Sequence, residues 1–312
     1  MYKNLIKIST KDMPHEEWLE HRRKSIGGSD ASAIIGMNGY SSPYTVWADK
    51  LGKIPPKEDN EAMRLGRDLE DYVAKRFTEK TGKKVRRENN ILINPEFPFA
   101  HANVDRMIVG EDAGFEAKTT SALNTKKFKN GEYPANYYCQ CVHYLAVTGC
   151  ERWYLGVLVL GVEFKWFVIE RDEGEIAALM KSEADFWKYV ESKEAPLTDG
   201  SDSTTDTLKT IYPESNGDTV NLMAFEDDLK QYKHLAQMEE DYKQMKNECA
   251  NKIKAYMQEA SRGESMNFKV TWSSSIRNTF DHKKFAEDNP GVDLSAYYKS
   301  TPTRTFKITE NK

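Results

Sequence analysis

The sequence predicts an α/β protein: a mixed central β-sheet flanked by helices, followed by an α+β C-terminal appendage. Three observations predict it. Apolar residues recur at three- and four-residue spacing across 61–81, the period of a helix with one buried face. Short apolar runs separated by turn signals then fill 90–170 and alternate with one helical stretch, the pattern of strands with crossovers. Beyond about residue 195 a polar stretch gives way to a long amphipathic pattern.

Taken in order, residues 15–36 (HEEWLEHRRKSIGGSDASAIIG) read as a helix entering a Gly/Ser turn, and 43–50 as a short helix opening at Pro43. In the helix 61–81 the recurring apolar positions are Leu65, Leu69, Tyr72, Val73 and Phe77, and Gly82 is placed to stop it. Strands are expected near 90–93, 100–109 and 113–119, with Gly110-Glu111-Asp112 turning between the last two. The stretch YPANYYCQCVHYLAVTG is a helix capped by Gly149. Residues 151–160 and 162–170 pair across Gly161, and 172–192 form another helix. The first 195 residues thus make one domain, 196–206 a Ser/Thr/Asp-rich linker, and 207–312 a C-terminal accessory module.

In that module, residues 222–260 predict one long helix. Leu235, Met238, Tyr242, Met245, Cys249 and Tyr256 fall on a heptad seam that Lys252 interrupts. Such a seam suits packing on a core or a partner better than a self-sufficient coiled coil. FKVTWSSSIRNTF (268–280) reads as a hairpin or strand pair, and TPTRTFKI (301–308) as a final strand.

Composition bounds the function. With 39% hydrophobic residues in 312, the chain can bury a sizeable core. No apolar run approaches the ~20 residues of a membrane span, and MYKNLIKIST lacks the apolar stretch of a signal peptide, so a cytoplasmic location is expected. Cys139, Cys141, Cys150 and Cys249 form no CxxC pair, which leaves little for zinc or thioredoxin chemistry. The net charge of −4 advertises no nucleic acid. Clefts bind phosphate through local charge, however, and 75–87 holds seven basic residues against Glu79 alone.

The chemistry centres on Asp105, Glu116 and Lys118. Glu116 and Lys118 lie two apart on a predicted strand and share a face. The hairpin brings Asp105 beside them. Two carboxylates can hold Mg²⁺, which neutralises a phosphodiester and acidifies a water. A neighbouring lysine can orient that water, and the Ala117 carbonyl could add a ligand. The pattern alone also describes a surface hairpin with a salt bridge. Its apolar setting argues otherwise, because buried charge is costly unless paired or metal-bound. Glu70 in LGRDLE supplies a third acid, with Gly66 allowing close approach of another element. Gln140, in YYCQCVHYL, could hydrogen-bond a phosphate, a base or a bound water. His101 and His143 receive no role, and Met107 and Trp153 are assigned to the core.

The order Trp18-x3-Arg22-x6-Ser29, then Gly66-x3-Glu70, Asp105, Glu116-Ala117-Lys118 and a helix bearing Gln140 resembles the lambda exonuclease and YqaJ viral recombinase family, of the PD-(D/E)XK nuclease class. The resemblance covers about residues 15–193; Val104 stands where the class name has proline. It implies a nuclease core in which Glu70, Asp105 and Glu116 are metal ligands and Lys118 positions the attacking water. Arg22 and Ser29 would grip the terminal 5′-phosphate, which suits a guanidinium fork and a hydroxyl at a helix N-terminus. It implies Mg²⁺, with Mn²⁺ substituting, and 5′→3′ digestion of one strand of linear double-stranded DNA. The 3′ tail would pass to a single-strand annealing recombinase, and the nuclease would assemble as a ring-shaped homotrimer. Some nucleases of the class hold an iron–sulfur cluster on a C-terminal cysteine group; this sequence has no such group, and no cluster is expected. Two other readings stand beside this one: an endonuclease of the same fold, and a non-catalytic DNA-binding derivative. For the module, the expected role is to dock the annealing protein or to extend the DNA track with Lys283, Lys284 and Arg304.

Overall fold

The structure, a computed structural model, describes residues 4–299 and 303–309. It divides into two compact units, Met1–Tyr212 and Pro213–Lys312. The strands of the first unit are β1 (Ile6–Ser9), β2 (Ile26–Gly27), β3 (Val85–Arg87), β4 (Asn90–Ile93), β5 (Ala100–Asn103), β6 (Arg106–Ile108), β7 (Ala113–Thr120), β8 (Arg152–Val159) and β9 (Glu163–Glu170). Its helices are α1 (His15–Arg23), α2 (Gly28–Ile34), α3 (Pro43–Lys50), α4 (Glu61–Thr81), α5 (Ala135–Thr148), α6 (Glu173–Ser192) and α7 (Asp202–Ile211).

The helix expectations hold where period and punctuation agree. The Asn60 side chain caps α4 by accepting from the Met63 amide, and Gly82 ends it in the left-handed region at φ 74°. Helix α5 carries the chain from β7 to its parallel neighbour β8, a connection that parallel pairing requires. The strands form the order β3-β6-β7-β8-β9. Only β7 and β8 in this sheet are parallel neighbours, so the sheet is mixed.

Two expectations need correction. Residues 100–109 are not one strand. Strand β5 belongs to a separate sheet of order β1-β4-β5-β2, and the chain crosses to β6 at Val104 and Asp105. The first unit therefore has two mixed sheets rather than one. The expected linker 196–206 is in part helix: α7 begins at Asp202, capped by Ser201, and lies within the first unit. Its Thr204 and Thr207 are buried and bond the hydroxyls of Ser42 and Thr45 at the start of α3. Strands β1, β2 and β3, too short to show a period, lay outside the expectations.

Packing sorts the two faces of β7. Phe115 meets Phe77 of α4, ring centroids 4.6 Å apart, within a cluster that includes Val73, Ala74 and Tyr154. The other face turns to α5 and the larger cluster around Trp153, Leu145 and Leu155. Met107 and Trp153 are in the core as expected. His143 is fully buried between Glu183 Oε1 (2.8 Å) and the His101 carbonyl, and His101 Nδ1 bonds Ser25 Oγ. His143 is thus spent on internal polar links, whereas His101 keeps its Nε2 buried without a hydrogen-bond partner among the described residues.

One buried ion pair organises the turn between α1 and α2. Lys50 Nζ donates to Asp30 Oδ2 at 2.6 Å and to the Arg22 carbonyl at 2.8 Å, while Asp30 Oδ2 also accepts from the Gly27 amide. The Lys50 side chain is 1% exposed.

The second unit holds α8 (Glu226–Met257), the hairpin of β10 (Arg262–Glu264) and β11 (Lys269–Thr271), and the short α9 (His282–Asp288). The helix falls inside the expected 222–260. Of 268–280, only 269–271 is strand, and it pairs upstream with 262–264. Residues 303–309 have no regular structure, and 301–302 of the expected final strand lie outside the described residues.

Burial works against the Asp30 carboxylate, but the Lys50 and Arg22 charges overcome it and hold its pKa well below the usual range. Asp30→Asn strands the Lys50 ammonium in the interior, a change that typically costs about 3–5 kcal/mol. Urea denaturation at pH 7 should show that loss. Because the folded pKa is depressed, the wild-type advantage should persist down to about pH 4 and shrink only below it. Equal stability of the two proteins at pH 7 would remove this pair from the determinants of the fold.

Candidate active site

The site forms where the two sheets part. Strand β6 pairs with β7 only as far as Phe115. Beyond that point the edge of β7 is open, and Asp105, on the crossing between β5 and β6, fills it. Its Oδ2 accepts from the Ala117 amide at 2.8 Å. A strand residue presents its N–H and C=O to the same edge, so the Ala117 carbonyl also faces this gap.

Glu116 and Lys118 share the α5 face of β7, as their spacing predicts. Lys118 Nζ donates to Glu116 Oε1 at 2.6 Å, and Gln140 Nε2 on α5 donates to the same oxygen at 2.8 Å. Gln140 also donates to Tyr144 Oη, which in turn donates to the Asn103 carbonyl. Glu116 is 3% exposed, and its second oxygen, Oε2, is buried with no hydrogen-bond partner.

The electrostatics follow from this crowding. Burial, then the Asp105 charge, push the Glu116 pKa up to about 8 against the pull of Lys118. Burial also raises Asp105, opposed by Lys118 and the Ala117 amide. Burial would lower Lys118, but Glu116 and Asp105 hold it above the ordinary lysine value. Ionising both acids beside the one ammonium would leave an uncompensated negative charge.

Glu70 approaches from α4. Burial and then Asp105 raise its pKa. Its Oε1 accepts from Arg106 Nη2 at 2.9 Å, and Arg106 also bonds Asp71. Gly66 is not a point of forced approach: a Cβ there would stand 3.6 Å from Thr119 Oγ1, an ordinary contact. Glu70 and Asp105 line one cleft of about 220 Å³ together with Trp18 and Arg87.

Among the described residues, no group of three or more His, Cys, Asp or Glu side chains forms a metal cage. The hydrogen bonds explain why: Arg106 holds Glu70, the Ala117 amide holds Asp105, and Lys118 with Gln140 hold one oxygen of Glu116. The donor set nonetheless suits a hard divalent cation. It is all carboxylate and carbonyl oxygen, with a buried oxygen left without a partner.

Arg22 and Ser29 come together as expected. Arg22 Nη2 donates to Ser29 Oγ at 2.9 Å, and its guanidinium lies 4.8 Å from the Trp18 ring centroid. Trp18 also lines the carboxylate cleft. Gly28 joins the two halves: a Cβ there would come within 2.6 Å of the Tyr144 ring and 3.1 Å of Gln140 Cγ. Only glycine lets the start of α2 sit this close to α5.

The structure adds residues that the sequence did not single out: Arg106, Tyr144, and the Lys50–Asp30 pair behind Arg22. Arg106 follows Asp105 directly, so proximity was the available signal; the others depend on long-range contacts. The basic run 75–87 is largely committed locally, Arg76 to Glu79, Lys83 to Glu111, Arg86 to Glu88 and Arg87 to Asp71.

Comparison with known proteins bears on family and fold. A family model described as YqaJ-like viral recombinase domain matches residues 17–151. The protein YqaJ of Bacillus subtilis (strain 168) is 41% identical over 305 residues, covering 96% of this chain and 95% of that one. The alkaline exonuclease LHK-Exo from Laribacter hongkongensis superposes with a TM-score of 0.50 at 20% identity, over 57% of this chain and 93% of that one. LHK-Exo in complex with dAMP gives 0.50 at 21% identity with the same coverage. At that identity the two structures establish a shared fold, and the B. subtilis relative carries the kinship across nearly the whole length. The chain belongs to the YqaJ-like viral recombinase family and shares its fold with an alkaline exonuclease.

Proposed function

We propose that this chain is a Mg²⁺-dependent 5′→3′ exonuclease of linear double-stranded DNA, with Mn²⁺ able to substitute. The observation that carries the reading is the meeting of two features at one cleft: the Glu116–Asp105–Lys118 cluster, which reaches it through Asp105, and the Trp18–Arg22–Ser29 corner, which reaches it through Trp18.

Glu70, Asp105, Glu116 and the Ala117 carbonyl would hold the ion. When bound, the ion offsets phosphodiester charge and makes water acidic enough to attack at neutral pH. The chain's own residues do the rest. Lys118 fixes one oxygen of Glu116 and can orient the attacking water by hydrogen bonding. Gln140 holds the same oxygen from α5, so the free oxygen of Glu116 faces a set direction. Arg22 offers a planar fork to a terminal phosphate, with Ser29 Oγ beside it. A backbone phosphate within a strand is an ester on both sides and meets that fork less well, which favours an end over an internal site.

The product would be a 3′ single-stranded tail, passed to a single-strand annealing recombinase. Enclosure of the duplex by a ring-shaped homotrimer would support processive digestion. These statements rest on membership in the family. No helix among the described residues is long and apolar enough to cross a membrane. In a phage-encoded setting the site of action would be the host cytosol.

Glu116→Gln keeps the shape of the side chain and removes a ligand charge. Digestion of linear duplex should fall at least ~10³-fold, with circular dichroism and DNA binding retained. If Glu116→Gln, Asp105→Asn and Lys118→Ala all digest at near-normal rates, the catalytic cluster lies elsewhere. Intact circular duplex should survive the wild-type enzyme; nicking or linearisation would favour the endonuclease reading.

Arg22→Ala should slow digestion of 5′-phosphorylated ends far more than of 5′-hydroxyl ends. An equal slowdown on both substrates would move Arg22 to a general structural or backbone-binding role.

A further inference from the structure

The acid that reaches the cleft from α4 is held by a guanidinium that also holds its neighbour. Glu70 Oε1 accepts from Arg106 Nη2 at 2.9 Å, and the same nitrogen donates to Asp71, the next residue of α4. The Arg106 backbone is fixed, paired with Arg87 of β3 on one side and Phe115 of β7 on the other. Its side chain is 6% exposed, against 31% for Glu70 and 69% for Asp71. An arginine fastens a helix most firmly with its fork on both oxygens of one carboxylate. Here Nη2 is divided between two acids, and Nε is buried with no hydrogen-bond partner among the described residues. Asp71 has an anchor of its own, because Arg87 Nη2 donates to both of its oxygens at 2.7 Å.

A guanidinium and a divalent cation draw on the same carboxylate charge, so each weakens the other's hold on Glu70. Glu70 feels the charge of Asp105, and Glu116 feels that of Glu70, so the contested carboxylate stands within charge range of both other acids. Taking a carboxylate away from a buried guanidinium is ordinarily costly, because the cation is left unpaired. Asp71 removes that obstacle: it already accepts from the nitrogen that Glu70 would leave. The chain order mirrors the arrangement, with Asp71 directly after Glu70 and Arg106 directly after Asp105.

We infer that Arg106 is an internal competitor that holds Glu70 back from a bound divalent cation, and that Asp71 keeps Arg106 paired when Glu70 is released. The two together set the affinity of the site. Neither is assigned to the ion or to the substrate, so both are positioning residues. The inference rests on the reading of Glu70 as a metal ligand.

The test titrates Mn²⁺ into the full-length, DNA-free protein by calorimetry, in the wild-type and in a Glu70→Gln background. Glu70→Gln alone should weaken binding. In the wild-type background, Arg106→Met should bind Mn²⁺ about tenfold more tightly, the worth of a hydrogen bond to a charged group. Asp71→Asn should bind it more weakly, because Arg106 then has Glu70 alone. In the Glu70→Gln background both changes should leave binding as weak as they find it, since no carboxylate remains to be contested. A general change in the field of the site would instead persist in both backgrounds. Should loss of Arg106 from β6 disrupt folding, the exposed Asp71→Asn decides by itself. A Glu70→Gln protein that binds as the wild type does overturns the ligand reading and the inference with it. If Glu70→Gln weakens binding, the inference alone is overturned by a folded Arg106→Met protein no tighter than the wild type. An Asp71→Asn protein no weaker than the wild type, or shifts of equal size in both backgrounds, overturns it in the same way.

Discussion

Burying two carboxylates beside each other is costly, and the first unit is arranged around that cost. Glu116 and Asp105 would each resist ionisation where they stand, since burial raises the pKa of both and the Asp105 charge raises Glu116 further. Lys118, the Gln140 amide and the Ala117 N–H offset part of the charge. One oxygen of Glu116 stays without a partner. A fold gains nothing in stability from such a deficit, since apolar residues of similar volume would pack at lower cost. The arrangement supports the proposed cation site, because such costs are expected where function rather than stability sets the residues.

Everything that surrounds the cluster serves to hold it open on one side. The handover from β5 to β6 at Val104 and Asp105 interrupts the pairing of β7 and exposes the Ala117 edge. Gly28 admits α2 to α5, and so brings the Arg22–Ser29 corner next to Gln140. Behind that corner, Lys50 and Asp30 tie the Arg22 carbonyl to the Gly27 amide. Arg106 draws Glu70 toward itself and Asp71, which accounts for the absence of a closed cage among the described residues. An incoming ion would compete with Arg106 for Glu70, so a rotation of that side chain is the smallest rearrangement that completes the set.

Much of this was readable in the sequence because its signals were local. The period of 61–81, stopped by Gly82, fixes α4, and the i, i+2 spacing of Glu116 and Lys118 fixes their common face. What stayed hidden was not local. The split of 100–109 depends on which sheet each half joins, and no period reports that. The start of helix α7 reads as a linker because its buried residues there carry hydroxyls: Thr204 and Thr207 are buried against Ser42 and Thr45, and the apolar Leu208 and Ile211 that pack on the core come only at its end. The pairing of Lys50 with Asp30, twenty residues away, has no local signal either. Arg22 and Ser29 had meaning only through family resemblance, although the structure does place them in contact.

The central claim is that the carboxylate cluster is a divalent-cation site. Titration calorimetry with Mn²⁺ and Mg²⁺ on the DNA-free protein, paired with thermal denaturation, tests it most directly, since a ligand that binds only the native state raises Tm. The wild type should bind and gain in Tm, and Glu116→Gln should lose both effects while keeping its fold. A wild type that neither binds nor is stabilised by either ion, or a Glu116→Gln protein that binds as the wild type does, would contradict the account.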